Sequence, residues 1–317
     1  TGDITGAELG GILLEVDQSA SDGEPLTFDN FGAITLQTTD NPLAAIEIRV
    51  AGDLTVDNTD IGNLSVTAAN GFSDTAATAP AAYGLRLIGN TAGSQGSDTA
   101  EFDFRGRGDI TVEGANGAAI SIVDATSRVR ATGAITTRGF GMRGIEFIGA
   151  EDDFGFFGSS INVSRAFLFS ETSGSITTSG DEAHALFARS NASISIGVSP
   201  GAVVTTTGDR ASASINEFLT FASDRFFGTI TTSGVESHGI VARERTLDPD
   251  DPLRGAEGYN AEFDLASQYS LEILAELRVN GVDADGVRLL PAVNAAEFGD
   301  DYLPTFDIEL IRTVDGP

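Results

Sequence analysis

Three segments of this chain superimpose residue for residue without a gap: Gly133-Ala-Ile-Thr-Thr-Arg-Gly-Phe-Gly-Met-Arg-Gly-Ile145, Gly174-Ser-Ile-Thr-Thr-Ser-Gly-Asp-Glu-Ala-His-Ala-Leu186 and Gly228-Thr-Ile-Thr-Thr-Ser-Gly-Val-Glu-Ser-His-Gly-Ile240. Self-similarity on this scale marks a repeat architecture, whose unit is too small to bury its own apolar side and is stable only against its neighbours. Each copy reads as a short strand opened by Gly, a Gly-marked turn and a second short strand. The expected fold is therefore an all-β solenoid.

Weaker copies extend the pattern. The segments 108–122 and 275–289 align without gaps, and looser versions begin at Gly2, Gly32, Gly62 and Gly201, which suggests about nine rungs. Side chains alternate with period two. Ile176 and Thr178 share one face of the first strand, and the pairs Ile120/Ile122, Ile145/Phe147, Leu186/Ala188, Ile240/Ala242 and Val287/Leu289 form the interior column of the second. The intervening Ser121, Glu146, Phe187, Val241 and Arg288 are assigned to an outer face of mixed character. Between units lie Phe-rich segments at 100–104, 153–157, 165–169, 216–221 and 260–265. An order of strand, turn, strand and Phe-rich strand describes a three-sided coil, so the expected architecture is a parallel β-helix with successive coils about 4.8 Å apart. The Ala/Thr/Ser/Gly-rich stretch 68–82 interrupts the pattern and is expected to leave the stack as a surface loop.

The helix is expected to occupy residues 1–290, with looser repeats over 1–107 and clear ones over 108–290. Residues 291–317 break the pattern, then resume as the alternating run Phe306-Asp-Ile-Glu-Leu-Ile-Arg312, either a capping strand of the same molecule or a strand given to the next molecule. An open terminal rung exposes unpaired N–H and C=O groups. Ile4, Ile12 and Leu14 at one end and Phe306, Ile308 and Leu310 at the other are thus the candidate assembly residues, in a head-to-tail filament or a capped oligomer.

Composition narrows the partners. There are 47 acidic residues, and the 18 basic residues are all Arg, for a net charge of −29, which repels nucleic acid and anionic lipid. With no Cys there is neither a disulfide framework nor a thiolate zinc cage, and no apolar run is long enough for a membrane-spanning helix. Nor does the start Thr1-Gly-Asp-Ile-Thr resemble a signal peptide, so an exported protein would be in its processed form.

Few residues suggest chemistry. His184 and His238, the only histidines, fall at the same repeat position, where other copies carry Ala118, Arg143 and Asp285; such variety points to a structural corner. If a rung intervenes, the two lie about 10 Å apart, too far to share a metal. Asp248, Asp250 and Asp251 form an oxygen cluster that is the candidate Ca2+ site, although Pro249 and Pro252 favour a solvated turn; Asp300-Asp301 is a weaker cluster. No cofactor other than this Ca2+ is implied. Asn58-Thr-Asp60, Asp152-Asp153 and His238-Gly239 echo the carboxylate and histidine motifs of polygalacturonases, but they lie far apart in sequence, and that family's Arg-x-Lys motif has no counterpart in a chain without Lys.

The Gly-x-Ile-Thr-Thr-x-Gly…Gly-Ile pattern, in an acidic chain without Cys, resembles the passenger domains of Gram-negative autotransporters of the pertactin-like type. The resemblance covers residues 108–290 well and the first hundred loosely, and the alternating strands of a C-terminal translocator barrel are not seen. It implies a right-handed parallel β-helix, exported and placed outside the cell or on its outer surface. The expected function is that of a non-catalytic structural or adhesive element that contacts its own copies, a cell surface or glycans. The competing reading is a carbohydrate-active β-helix, either a glycan binder or a polysaccharide hydrolase or lyase.

Overall fold

A computed structural model describes residues 4–7, 11–17, 27–29, 32–38, 41–51, 55–89, 101–106, 108–131, 133–149, 166–170, 174–190, 194–218, 221–244, 268–290 and 305–310. Among them every regular element is a β-strand, and the strands form three parallel sheets of nine, nine and eight members. The first sheet stacks Ile4–Ala7, Ile34–Thr38, Leu64–Ala68, Ile110–Glu113, Ala134–Arg138, Ser175–Ser179, Val203–Thr207, Thr229–Ser233 and Glu276–Asn280. The second stacks Ile12–Asp17, Leu43–Ala51, Ala82–Ile88, Ala118–Val123, Arg143–Ile148, Leu186–Ser190, Ser214–Phe218, Ile240–Glu244 and Val287–Leu290. The third runs from Thr55–Ile61 through Glu101–Gly106, Thr126–Ala131, Ala166–Ser170, Ile194–Val198, Phe221–Phe226 and Gln268–Ile273 to Thr305–Leu310. From Ile34–Thr38 onward the described strands visit the three sheets in turn, and each visit advances one place along every stack, so the repeat read from sequence is a solenoid-like rung.

The Ile-Thr-Thr motif has a physical reason. Its Ile enters the interior column Ile34, Leu64, Ile110, Ile135, Ile176, Val204 and Ile230, each residue registered with the next and almost fully buried. Full burial of such a side chain contributes about 1.5–3 kcal/mol. The first Thr faces outward. The second faces inward and ties the following turn: the hydroxyls of Thr178, Thr206 and Thr232 donate to the carbonyls of Ala183, Ala211 and Ser237 at 3.1, 2.8 and 3.1 Å.

The glycine after this strand is forced. Gly139, Gly180, Gly208 and Gly234 have φ of 118°, 120°, 128° and 133°. A Cβ on Gly180 would stand 2.4 Å from the carbonyl oxygen of Gly139, and one on Gly208 2.2 Å from that of Gly180. Two residues on, Gly141, Glu182, Arg210 and Glu236 repeat a left-handed conformation, φ 55–65°, and Asn116 and Asp283 do the same after Gly114 and Gly281, at 50° and 56°. The turn is thus copied as faithfully as the strands.

Ile145, Leu186 and Ile240 share one interior column, with Ser214 of the intervening rung between the last two. Two expectations need correction. The Phe-rich segments are not all third-sheet strands: 100–104 and 165–169 contribute to Glu101–Gly106 and Ala166–Ser170, but Phe218 closes a second-sheet strand and Phe221 opens the next third-sheet one. The segments 153–157 and 260–265 lie outside the described residues. Finally, Phe187 and Val241 do face away from the main core, yet they are only 4% and 3% exposed and pack with Ile215 in a second apolar cluster. Alternation indicates which face a side chain is on, whereas its burial depends on what neighbouring columns lay over that face.

The stretch 68–82 does leave the stack, but it follows the turn ridge. Its backbone carbonyls at Ser73, Asp74 and Pro80 accept from Phe140, Asp181 and Ala115 at 2.9, 2.6 and 3.3 Å, so it clasps three successive turns.

Candidate functional site

The outer face of the second sheet carries the greatest concentration of chemically distinctive side chains among the described residues. Arg49 pairs with Glu15 at 3.2 Å and with Glu47, which also faces Arg86 at 3.6 Å. Further along, Glu146 accepts from Ser121 at 2.9 Å and pairs with Arg143, whose guanidinium lies 3.8 Å over the Phe187 ring. Glu217 holds Arg189 at 2.7 Å and Arg243 at 2.9 Å. Glu146 and Glu217 are buried, and a guanidinium from the same or an adjacent rung covers each one, whereas Glu15 at the end of the stack is exposed. The arrangement neutralises charge on this face and roofs the Phe187, Ile215 and Val241 cluster.

Both histidines sit at the corner leading into this sheet and act as spacers between rungs. Nδ1 of His184 accepts the backbone N–H of Ser212 at 3.1 Å, and Nδ1 of His238 accepts that of Asp285 at 3.0 Å. Ser212 occupies the rung between them, as expected from the loose copy at Gly201. Burial, then the nearby Arg143 and Arg243 guanidiniums, push His184 down to about 3, so it is neutral throughout the physiological range. Burial and Arg288, whose Nη1 lies 2.8 Å from Nε2, likewise lower His238. Neither is poised for proton transfer near neutrality.

One group was not singled out from sequence. Asp224 faces the interior in a third-sheet column whose registered neighbours are Ile196 and Leu271. Its Oδ1 accepts from the Ile196 N–H at 3.0 Å and from Asn216 Nδ2 at 2.9 Å, and its Oδ2 accepts from the Tyr269 hydroxyl at 2.7 Å. The Tyr269 ring stacks on Phe218 with centroids 5.4 Å apart. Burial lifts Asp224 to about 6 against the opposing pull of these three donors, and burial together with the Asp224 charge raises Tyr269 well above its usual value. The signal available in sequence was an Asp in register with apolar residues, visible only once the rungs are aligned.

The outer face of the first sheet is different again. One outward column reads Thr35, Ser65, Thr111, Thr136, Thr177, Thr205 and Thr231, a hydroxyl in seven successive rungs, followed by Arg278. Cross-strand Thr and Ser pairs of this kind stabilise a sheet by about 0.2–1 kcal/mol each.

The remaining sequence candidates are placed as follows. Asp248, Asp250 and Asp251 lie outside the described residues, as do Asp300, Asp301, Asp152 and Asp153. Asn58 and Asp60 belong to Thr55–Ile61, remote in the stack from His238. Ile4 lies in the end strand of the first sheet, and Ile12 and Leu14 lie half-buried against the core in the end strand of the second. Phe306, Ile308 and Leu310 register with Tyr269, Leu271 and Ile273, so Thr305–Leu310 is the end strand of this chain's own third sheet. Among the described residues there is no group of three or more His, Cys, Asp or Glu that could hold a metal ion, and no helix long and apolar enough to cross a membrane. No protein-family model, curated protein or solved structure matches the chain.

Proposed function

We propose that this chain is a right-handed, three-sided parallel β-helix that serves as a non-catalytic structural or adhesive element outside the cell or on its outer surface, in the manner of autotransporter passenger domains. One observation carries the reading. Five chemically capable side chains of the described stack, Glu146, Glu217, Asp224, His184 and His238, are each engaged in a contact that bridges neighbouring rungs. A general acid or base must be free to meet a substrate proton. Here those groups hold rung to rung, and the result is stiffness.

The ends of the stack support association between copies. At interior positions Ile12, Leu14 and Val16 in the first rung, and Leu277, Val287 and Leu289 in the last, side chains are only partly buried. Leu13 and Val282 nearby are 54% and 66% exposed. Negative-stain images of purified protein in high salt should show rods joined end to end, and incubation with acidic polysaccharides should release neither reducing ends nor unsaturated products. Isolated single rods under every salt condition would refute the assembly, and product release would refute the non-catalytic reading.

A further inference from the structure

The interior of the seventh rung carries more polar atoms than its protein hydrogen bonds satisfy. In the second sheet Ser214 and Asn216 both face the core and are fully buried, yet Ser214 Oγ and Asn216 Oδ1 have no hydrogen-bond partner. The Asn216 amide cannot be turned to correct this, because its Nδ2 already donates to Asp224 Oδ1 at 2.9 Å and a flip would set two acceptors against each other. Asp224 itself is fully engaged, with three donors on its two oxygens. An orphaned buried oxygen costs about 1–3 kcal/mol, so two in one rung call for a partner.

The side chains registered on either side of Asn216 are small. The interior column through Asn216 reads Leu14, Ile48, Leu87, Ile122, Phe147, Ala188, Asn216, Ala242 and Leu289. Elsewhere it is filled by large apolar side chains; only on the two sides of Asn216 does it shrink to Ala. Residues two apart on a strand face stand about 6.6 Å apart at the backbone, close to the span of a molecule that hydrogen-bonds at about 2.8 Å on each side.

We propose that the coil interior at this rung binds one ordered water, which donates to Asn216 Oδ1 and bonds the Ser214 hydroxyl, between the walls formed by Ala188 and Ala242. The water completes a chain from Ser214 through Asn216 and Asp224 to Tyr269, a hydrogen-bonded bar joining the second and third sheets inside the coil. Buried waters of this kind have two to four polar partners and are costly to remove. The site accepts a small neutral hydrogen-bonding molecule, and it is independent of the proposed adhesive role.

Water magnetic relaxation dispersion on the full chain tests it, paired with a high-resolution crystal structure. Wild type should show a long-lived internal water, with density within hydrogen-bond reach of Asn216 Oδ1 and Ser214 Oγ. Ser214→Ala should shorten its residence. The double variant Asn216→Leu/Asp224→Leu, which restores apolar residues to both columns, should fold and lose the signal. Relaxation unchanged in both variants, a dry site in the density, or replacement of the density by an anomalous scatterer on soaking with rubidium or thallium would each overturn the proposal, the last in favour of a monovalent cation.

Discussion

Replacing Gly180 by Ala isolates what the turn ladder requires. At φ of 120° the backbone occupies a region that essentially only Gly adopts, and an L-residue there costs about 1–3 kcal/mol. The new Cβ would also meet Gly139 O at 2.4 Å and Gly139 C at 2.6 Å, against 3.4 Å for ordinary contact, and both atoms are backbone that cannot rotate aside. Relief demands that two rungs separate by about 1 Å, beyond hydrogen-bonding range for the donors involved. Gly139 N–H to Ser179 O and Gly180 N–H to Thr207 O, now 2.8 and 2.9 Å, are the bonds at risk, at about 1 kcal/mol each. Strain and lost bonds together come to about 3–5 kcal/mol. Gly71 is the control: its φ is 81° and nothing lies within 4 Å of an added Cβ, so Gly71→Ala should cost only the left-handed penalty of about 1–2 kcal/mol. Because solenoids unfold by coupled neighbours rather than all at once, amide exchange at residues 139, 180 and 208 should accompany urea titration by circular dichroism. If Gly180→Ala shifts the midpoint no further than Gly71→Ala and leaves those amides protected, the contact argument fails.

Ile240→Ala, at a fully buried interior position, should cost about 2–5 kcal/mol in the same titration, and Phe187→Ala should also exceed the roughly 0.5 kcal/mol of a surface change despite facing outward. Acidification sets two groups against each other. Asp224 has its folded value raised to about 6 from 3.8, so it adds stability as pH falls through that window, up to about 3 kcal/mol; His184, lowered from 6.5 to about 3, stabilises fully above 6.5 and loses that contribution as pH falls, up to about 5 kcal/mol. His184→Gln should therefore be relatively more stable at pH 4 than at pH 7 when its urea midpoints are compared with those of wild type, and equal differences at the two pH values would contradict the assignment. With −29 charges per chain, light scattering should show mass rising with NaCl or Mg2+ as repulsion is screened over about 10 Å or less, and a mass independent of salt would count against electrostatic control of assembly.

The strand order, the rung count and the forced glycine were legible because each is a backbone requirement repeated in every rung, and repetition is what a sequence displays. The Asp224 cluster was not, because its members come from different strands, with Tyr269 45 residues beyond Asp224. In the local run Phe221-Ala-Ser-Asp-Arg-Phe226 the Asp reads as one polar residue among others. The burial of Phe187 was hidden for a related reason: its cover is the guanidinium of Arg143, a side chain contributed by another rung.

Electrostatics explains why the charged outer positions of the first and second sheets do not repeat. A parallel stack sets equivalent side chains about 4.8 Å apart, and like charges directly opposite one another destabilise a sheet. Copying a charged position into the next rung as Ile, Thr and Gly are copied is therefore disfavoured, and the third sheet tolerates it only where Arg105 registers with Arg130 and Glu272 with Glu309. The second sheet obeys this rule: Glu15 faces Arg49, Arg189 faces Glu217 and Glu217 faces Arg243, while Ile88, Val123 and Ile148 fill the same column between the charged runs. In the first sheet Glu113 faces Arg138 and is flanked by Thr67, with Ser179 beyond. In these two sheets repetition survives only where the side chain is uncharged, and this leaves the inward columns and the Thr column as their readable part. The outward charged columns of the second sheet vary from rung to rung, so those residues are the ones the repeat leaves unspecified.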